Sequence, residues 1–329
     1  MTTSSSWNYS LTAADIIQAA LEDINVLVAG ESVATDDSTV ALRTLNQLAK
    51  QWQGNADMAQ GLKVWTRQRV TLFLAANQYQ YVIGPASTDA RATTAYGRTT
   101  LSADEAASQT IISITSNTDT TTYPGTTVTM TSGDIVGIVL NDGTIHWSTI
   151  SGTPAATMTI VDALASAAAS GNYVYWFTSR AQRFVDIEAA KLRDADEIDT
   201  DLTVYTDVSE YESLPEKNAE GDATAILVEP LRTQTRVTLN FAPTDLTKQL
   251  RLTVIYPAED YDATTDDIAY PQEWFAALEW ELARRLAPKF NRRWTPTHQA
   301  NWETATSIAR QLNPQATSIY FQPHADGRA

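Results

Sequence analysis

Between Arg98 and Arg180 the chain has no lysine or arginine. Thr, Ser, Ala and Gly dominate this stretch, and short β-rich runs recur along it at roughly even spacing. They are Ile111 to Ile114, Val128 to Met130, Asp134 to Leu140, Ile145 to Ile150, Met158 to Val161 and Tyr173 to Phe177. Asn141-Asp142-Gly143-Thr144 reads as a tight hairpin turn, because Asp-Gly supplies the positive φ values such a turn needs. Residues 99–179 are therefore expected to form an inserted all-β domain, a solvated sandwich or barrel with no active site.

The flanks read differently. Thr12, with Asp15 three residues on, opens a helix whose stripe runs from Ile16 through Ile24 to Val28 and ends at Ala29-Gly30. Asp36, Asp37 and Ser38 offer the N-cap of a second helix, carrying Leu42, Leu45, Leu48, Ala49 and Trp52 to Gly54. Val64 to Thr66, Val70 to Leu74 and Tyr79 to Ile83 are β-rich, with Asn77-Gln78 as the turn of a strand pair. Beyond Arg180 come strands at Ala225 to Val228, Arg236 to Phe241 and Leu250 to Tyr256. A helix from Pro271 to Pro288 repeats Trp274, Leu278, Leu282 and Leu286 at steps of four, and a last one covers Thr297 to Leu312. The fold class is α+β. Helices at 1–61 and 271–313 pack as one bundle. A central β region occupies 62–98 and 180–270, with the all-β domain inserted at 99–179 and a flexible tail at 314–329.

Little in the chain supports catalysis. There is no Cys, and the three His residues, His146, His298 and His324, are far apart, so zinc and thiol chemistry lack ligands. No Gly-rich phosphate loop and no Gly-x-Ser-x-Gly elbow occurs. The acidic run Asp194, Asp196, Glu197, Asp199 and Asp201 fails the EF-hand template, leaving at most a weak divalent-ion site there. Glu259, Asp260, Asp262, Asp266 and Asp267 form a second acidic loop. No cofactor is expected. With 23 basic and 39 acidic residues the net charge is −16, which opposes any grip on a nucleic-acid backbone. The first ten residues lack the cationic and apolar regions of a signal peptide, and the apolar run Ala155 to Ala169 is short and broken by Asp162, so no membrane anchor is expected.

Two features suggest protein contacts. Trp52, Trp65, Trp274, Trp280, Trp294 and Trp302 cluster at helix ends, where they read as core, or as interface anchors if exposed. Arg284, Arg285, Lys289, Arg292 and Arg293 form a basic cluster at the end of the Pro271–Pro288 helix. They complement the helix dipole, or they meet an acidic neighbouring subunit.

The order of these features resembles the head-to-tail connector (adaptor) proteins of short-tailed bacteriophages, also called tail tubular or tail accessory factors. The residues that carry the resemblance are Ala41 to Leu48 with Trp52, Gly61 to Trp65, Val70 to Leu74, Gln78 to Pro85, Gly133 to Thr149, Tyr211 to Lys217 and Pro271 to Trp274 with Ala277-Leu278-Glu279. Some relatives carry Gly-Pro where this chain reads Gly221-Asp222-Ala223. The resemblance implies a ring of identical subunits, usually twelve, clamped below the portal protein in the virion and assembled in the host cytoplasm. The ring would seal the filled head, join it to the tail nozzle and pass DNA through its centre without sequence-specific binding. It also implies that the C-terminal segment reaches the portal, with Ile319, Tyr320 and Phe321 as its anchors. Arg284, Arg285, Arg292, Arg293 and Trp294 are the candidates for the contact between subunits. Two other readings stay open: a receptor- or glycan-binding tail component using residues 99–179, and a hydrolase built on an acidic pair.

Overall fold

Thr12 caps α1 (Ala13–Asp23) through a reciprocal pair of bonds. Its hydroxyl accepts from the Asp15 N–H, and the Asp15 carboxylate accepts from the Thr12 N–H at 2.8 Å. In the computed structural model, which describes residues 9–54, 66–84, 91–120, 127–215, 219–245 and 247–312, this helix stops at Asp23, short of the expected Val28. The reason is Asn25. It takes a left-handed φ of 56°, and the Val26 N–H turns back to the Leu21 carbonyl at 2.9 Å. Asn tolerates that conformation and ends helices with it. Val28 then points into solvent. The second helix, α2 (Thr35–Gly54), starts before the acidic pair, so Asp36 and Asp37 sit in its first turn, where the dipole favours them, and do not cap it.

The chain divides into two compact units, one of Met1–Thr66 with Pro257–Ala329 and the other of Arg67–Tyr256. In the first, α1 and α2 share one apolar core with α4 (Phe275–Leu286) and α5 (Pro296–Leu312). Ile16, Leu21, Leu45, Leu48, Leu278, Leu282 and Leu286 are buried in it, and Trp52 meets Trp274 edge-on at 5.7 Å. Residues 257–270 belong here and not to the central β region, which corrects the expected boundary. Tyr261, Ile268 and Tyr270 enter this core, and Asn46 holds the Tyr261 backbone by both its N–H and its C=O at 2.8 Å each.

The second unit is mostly β, giving a mixed α/β chain in which strands outnumber helices among the described residues. Its larger sheet has the order β2-β15-β14-β13-β12-β16-β1-β3. The strands are β1 (Arg67–Phe73), β2 (Gln80–Ile83), β3 (Ala92–Thr93), β12 (Asp186–Arg193), β13 (Asp199–Tyr205), β14 (Ala225–Pro230), β15 (Thr235–Leu239) and β16 (Gln249–Ile255), with α3 (Val208–Glu212) after β13. The expected pairing of Val70–Leu74 with Tyr79–Ile83 does not form. β1 pairs with β16 and β3, while β2 pairs with β15. Asn77, at φ 57°, turns the chain between them. Val64 and Trp65 of the expected first strand lie outside the described residues. Alternation sorts the sheet's faces. Val70, Leu72, Leu192, Leu250, Leu252 and Val254 join Phe184, Ile226 and Val237 in one core. Arg67, Arg69, Thr71 and Phe73 of β1 alternate with Val70 and Leu72, which places them on the other face.

The smaller sheet has the order β4-β11-β8-β9-β10-β5, from β4 (Gly97–Thr100), β5 (Ile111–Ser113), β8 (Ile135–Val139), β9 (Ile145–Ser151), β10 (Thr157–Ile160) and β11 (Tyr173–Phe177). β6 (Thr118–Asp119) and β7 (Val128–Thr129) pair separately. A bridge between Leu101 and Ile114 returns β5 to the end of β4, with the Thr115 N–H on the Thr100 carbonyl at 2.9 Å. The sheet thereby curls into a barrel around Ile112, Val136, Ile138, Ile150, Met158, Val174 and Trp176. Closure leaves no long open edge. The hairpin at 141–144 is present, with one left-handed residue in place of the expected two. Gly143 alone has positive φ (82°), and its N–H bonds the Leu140 carbonyl at 3.0 Å while the Leu140 N–H bonds Thr144 at 2.8 Å. Asp142 contributes its side chain, which accepts from the Thr144 N–H at 2.9 Å. Where the barrel's strands meet the larger sheet, Phe73 is enclosed by Tyr96, Tyr175 and Phe177, and Tyr96 Oη donates to Gln249 Oε1 at 2.9 Å.

Candidate functional site

The expected subunit-contact residues divide into two groups. Arg284 and Arg285 turn inward to their own helix. Both pair with Glu281, at 3.2 and 2.9 Å, and Arg285 also donates to Gln51 Oε1 at 2.7 Å. Arg284 lies over the Trp302 ring at 4.4 Å. Lys289 donates to the Thr44 hydroxyl. Trp294 is half-buried, stacked in the group Trp280, Trp294 and His298, with its indole N–H on Gln299 Oε1 at 3.0 Å. Arg292 and Arg293 stand exposed in the turn between α4 and α5. Ile319, Tyr320 and Phe321 lie outside the described residues.

Glu281 is the centre of this group, and sequence reading missed it. Its side chain is 4% exposed, and besides the two arginines it accepts from the Trp302 indole N–H at 2.6 Å. The available signal was a carboxylate between Leu278 and Leu282 on the apolar stripe, three and four residues before two arginines.

A second acid was equally hidden. Asp23, at the end of α1, shares a hydrogen bond with Glu279 of α4. Burial and then the Asp23 charge push Glu279 up to about 7, and burial also raises Asp23. Glu22 faces both, and His298 faces Asp23. The pair reads as one proton shared between two carboxyl groups. The unfolded chain releases the Glu279 proton near 4.5, whereas the fold holds it to about 7. The folded state therefore binds more protons across that window, and stability falls as pH rises through it. Glu279→Gln keeps a donor toward Asp23 and cannot ionise. It should flatten this fall, gaining about 1 kcal/mol over the native chain at pH 8 after allowance for solvent screening of a part-exposed group. Denaturant unfolding at pH 5 and pH 8 checks this, and equal pH slopes in the two proteins would contradict it.

Three members of the acidic run are held within the β12–β13 hairpin, and a fourth, Glu197, pairs with Arg98 of β4 at 2.7 Å. Arg193 holds Asp199 through two bonds at 2.6 and 2.8 Å, a pairing that lowers Asp199 and raises Arg193. Lys191 pairs with Asp201 at 3.1 Å, and Asp194 accepts from the Ile198 N–H at 2.8 Å. Among the described residues no group of three or more His, Asp or Glu is placed to hold a metal ion. Of the aromatic side chains on the barrel strands, Trp176 fills the barrel core and Tyr175 and Phe177 are buried around Phe73. Tyr175, Trp176 and Phe177 are at most 1% exposed, which leaves little of the stacking platform that glycan recognition uses.

Among the described residues a concentration of positive charge lies on the face of the larger sheet that also carries Phe73. Alternate positions of β1 put Arg67 and Arg69 there. Arg251 follows on β16, opposite Thr71, and Lys191 pairs across from Arg251 on β12. Arg193 is two residues further on the same strand. The bulge between Ile187 and Ala189 leaves Glu188 against Arg67. A cleft of about 600 Å³ is lined by Arg67, Arg69, Glu188, Arg251 and Thr253, and a second of about 290 Å³ by Arg69, Lys191, Arg193, Asp199 and Arg251. Arg67 pairs there with Glu188, Arg193 with Asp199 and Lys191 with Asp201. Arg251 is 9% exposed, and burial, then the charges of Arg193 and Arg69, lower its pKa. The sequence signal was alternation: Arg-x-Arg in one strand and a lone Arg in another, both on the polar parity.

No helix among the described residues is long and apolar enough to cross a membrane. No family model matches the chain, and no curated protein matches it. Among solved structures it has a likeness to VP17, a capsid protein of bacteriophage P23-77, at 11% identity over 57% of this chain and 82% of that one. The TM-score is 0.13, too low to carry a statement about this chain's fold or role.

Proposed function

We propose that this chain is a structural protein of a bacteriophage virion, a head-to-tail connector that forms a ring below the portal, seals the DNA-filled head and conducts DNA to the tail nozzle. The observation behind this reading is the way the chain is assembled. Both of its ends build one helical core, through Ile16, Leu45, Leu278 and Leu286, and the β-rich residues 67–256 are carried as an insertion between them. The resemblance implies helices next to the portal and β parts reaching toward the tail nozzle, which a helical unit carrying a β-rich insertion suits. A net charge of −16 suits a channel in which DNA slides without being gripped. The partners on this reading are further copies of the chain, the portal protein and a tail-nozzle protein, and the segment carrying Ile319, Tyr320 and Phe321 docks on the portal. Mixing the purified chain with the cognate portal ring and imaging the particles tests this. Ring-shaped density added to one face of the portal is expected, and it should be lost on truncation after Asn313. Bare portal rings together with binding to host cells would support the receptor-binding reading instead.

A further inference from the structure

We propose that the turn between α4 and α5 is one half of a contact between copies of this chain, with Arg292 and Arg293 reaching the Asp36–Asp37 pair at the start of α2 in the next copy. This deepens the connector reading and rests on its claim that the chain self-assembles. Arg284, Arg285 and Lys289, the other cations of the cluster, are engaged inside their own unit by Glu281, Gln51 and Thr44. Arg292 and Arg293 differ. Both are exposed, and among the described residues their side chains meet no carboxylate. The turn that carries them is fixed. Asn291 takes a left-handed φ of 55°, the Arg292 N–H returns to the Ala287 carbonyl at 2.8 Å, and Phe290 and Trp294 pack against the helical core on either side. A partner seated on this turn therefore has no loop to order.

The complement lies at the same end of the same helical unit. Arg285 meets Gln51 and Lys289 meets Thr44, so α2 runs antiparallel to α4. Asp36 and Asp37 precede Thr44 by about 10 Å of helix, which brings the first turn of α2 level with the turn after α4. Among the described residues neither carboxylate has a cation partner, and no ion pair joins them to Arg292 or Arg293 within one subunit. Copies related by rotation touch through unlike patches at equal height along the axis. Two opposite charge pairs at one end of the bundle satisfy that condition when the axis runs along the helices. Guanidinium forks suit carboxylates. An exposed ion pair alone adds little, but the loop leading into α2 also offers apolar area: Val28 is 75% exposed, with Leu27 and Val33 half-buried beside it. A net charge of −16 opposes nucleic acid as the occupant of the arginines.

The test is a charge swap in the full chain. One variant carries Arg292→Glu with Arg293→Glu, the other Asp36→Lys with Asp37→Lys. Milder versions carry Gln at 292 and 293 or Asn at 36 and 37, and Arg232→Glu changes charge at an exposed position of the other unit. Self-association is read by sedimentation over a concentration series and by the number of copies seated on the portal ring. Melting temperature reports that each variant is folded, and the milder versions serve where a reversal is not. Each reversal alone should raise the half-association concentration by about tenfold or more, the milder versions by less, and Arg232→Glu by less than about twofold. An equimolar mixture of the two reversed variants should recover to within about threefold of the native chain, because each then offers the charge that the other lacks. If the reversed variants assemble like the native chain, or if mixing restores nothing, the assignment fails while the connector reading stands. A native chain that stays monomeric both alone and with portal overturns both. Loss of portal binding in the Arg292→Glu, Arg293→Glu variant, with self-association unchanged, makes the turn a portal contact and also overturns the assignment.

Discussion

Replacing Glu281 by alanine should cost about 3 kcal/mol of unfolding free energy in the helical unit, the low end of the range for breaking a buried ion pair. The side chain is 4% exposed and serves three partners: Arg284, Arg285 and the Trp302 indole. Without it, the Trp302 N–H loses its acceptor and a void opens between α4 and α5. The two arginines temper the loss. Arg284 is 42% and Arg285 26% exposed at the side chain, so both can turn toward water. Glu281→Gln should cost less than Glu281→Ala, because an amide oxygen still accepts from Trp302 while the charge is gone. Denaturant unfolding followed by the helical circular dichroism signal checks both variants. A loss under about 1 kcal/mol for Glu281→Ala would place the network in the class of surface ion pairs.

Gly97→Val should disrupt the barrel, with a loss of about 3 kcal/mol or more. Gly97 of β4 lies opposite Trp176 of β11, and the indole crosses directly over the glycine. A Cβ at position 97 would sit 2.1 Å from the ring, and Trp176 is fully buried, so the ring has nowhere to go. The barrel uses the same device once more, with Trp147 of β9 over Gly137 of β8, where a Cβ would stand 2.7 Å away. Trp147 is only half-buried and can shift, so Gly137→Val should cost less. Combining Gly97→Val with Trp176→Leu should restore part of the stability lost in Gly97→Val alone, since the two positions share one volume. Thermal melting of the four proteins measures this, and simple additivity of the Gly97 and Trp176 changes would show that the ring is not what excludes the larger side chain.

Local rules wrote much of this protein. The Thr12–Asp15 box, the Leu278–Leu282–Leu286 stripe, the run of short strands after Arg98 and the turn at Gly143 are all read from neighbours a few residues apart, because caps, periodicity and turn chemistry act at that range. Even the early end of α1 was written locally, in the left-handed tolerance of Asn25. What the sequence could not settle were partnerships between distant positions. β1 pairs with β16 across the whole β-rich segment, and nothing in Val70 to Leu74 says that Leu250 to Val254 is its neighbour and Tyr81 is not. The cationic cleft arises only when β1, β12 and β16 lie side by side, and Glu281 and the Asp23–Glu279 pair acquire their character only when α1, α4 and α5 pack. Burial and charge proximity are properties of the assembled core. A carboxylate in a helical sequence is an exposed side chain until tertiary packing removes its water.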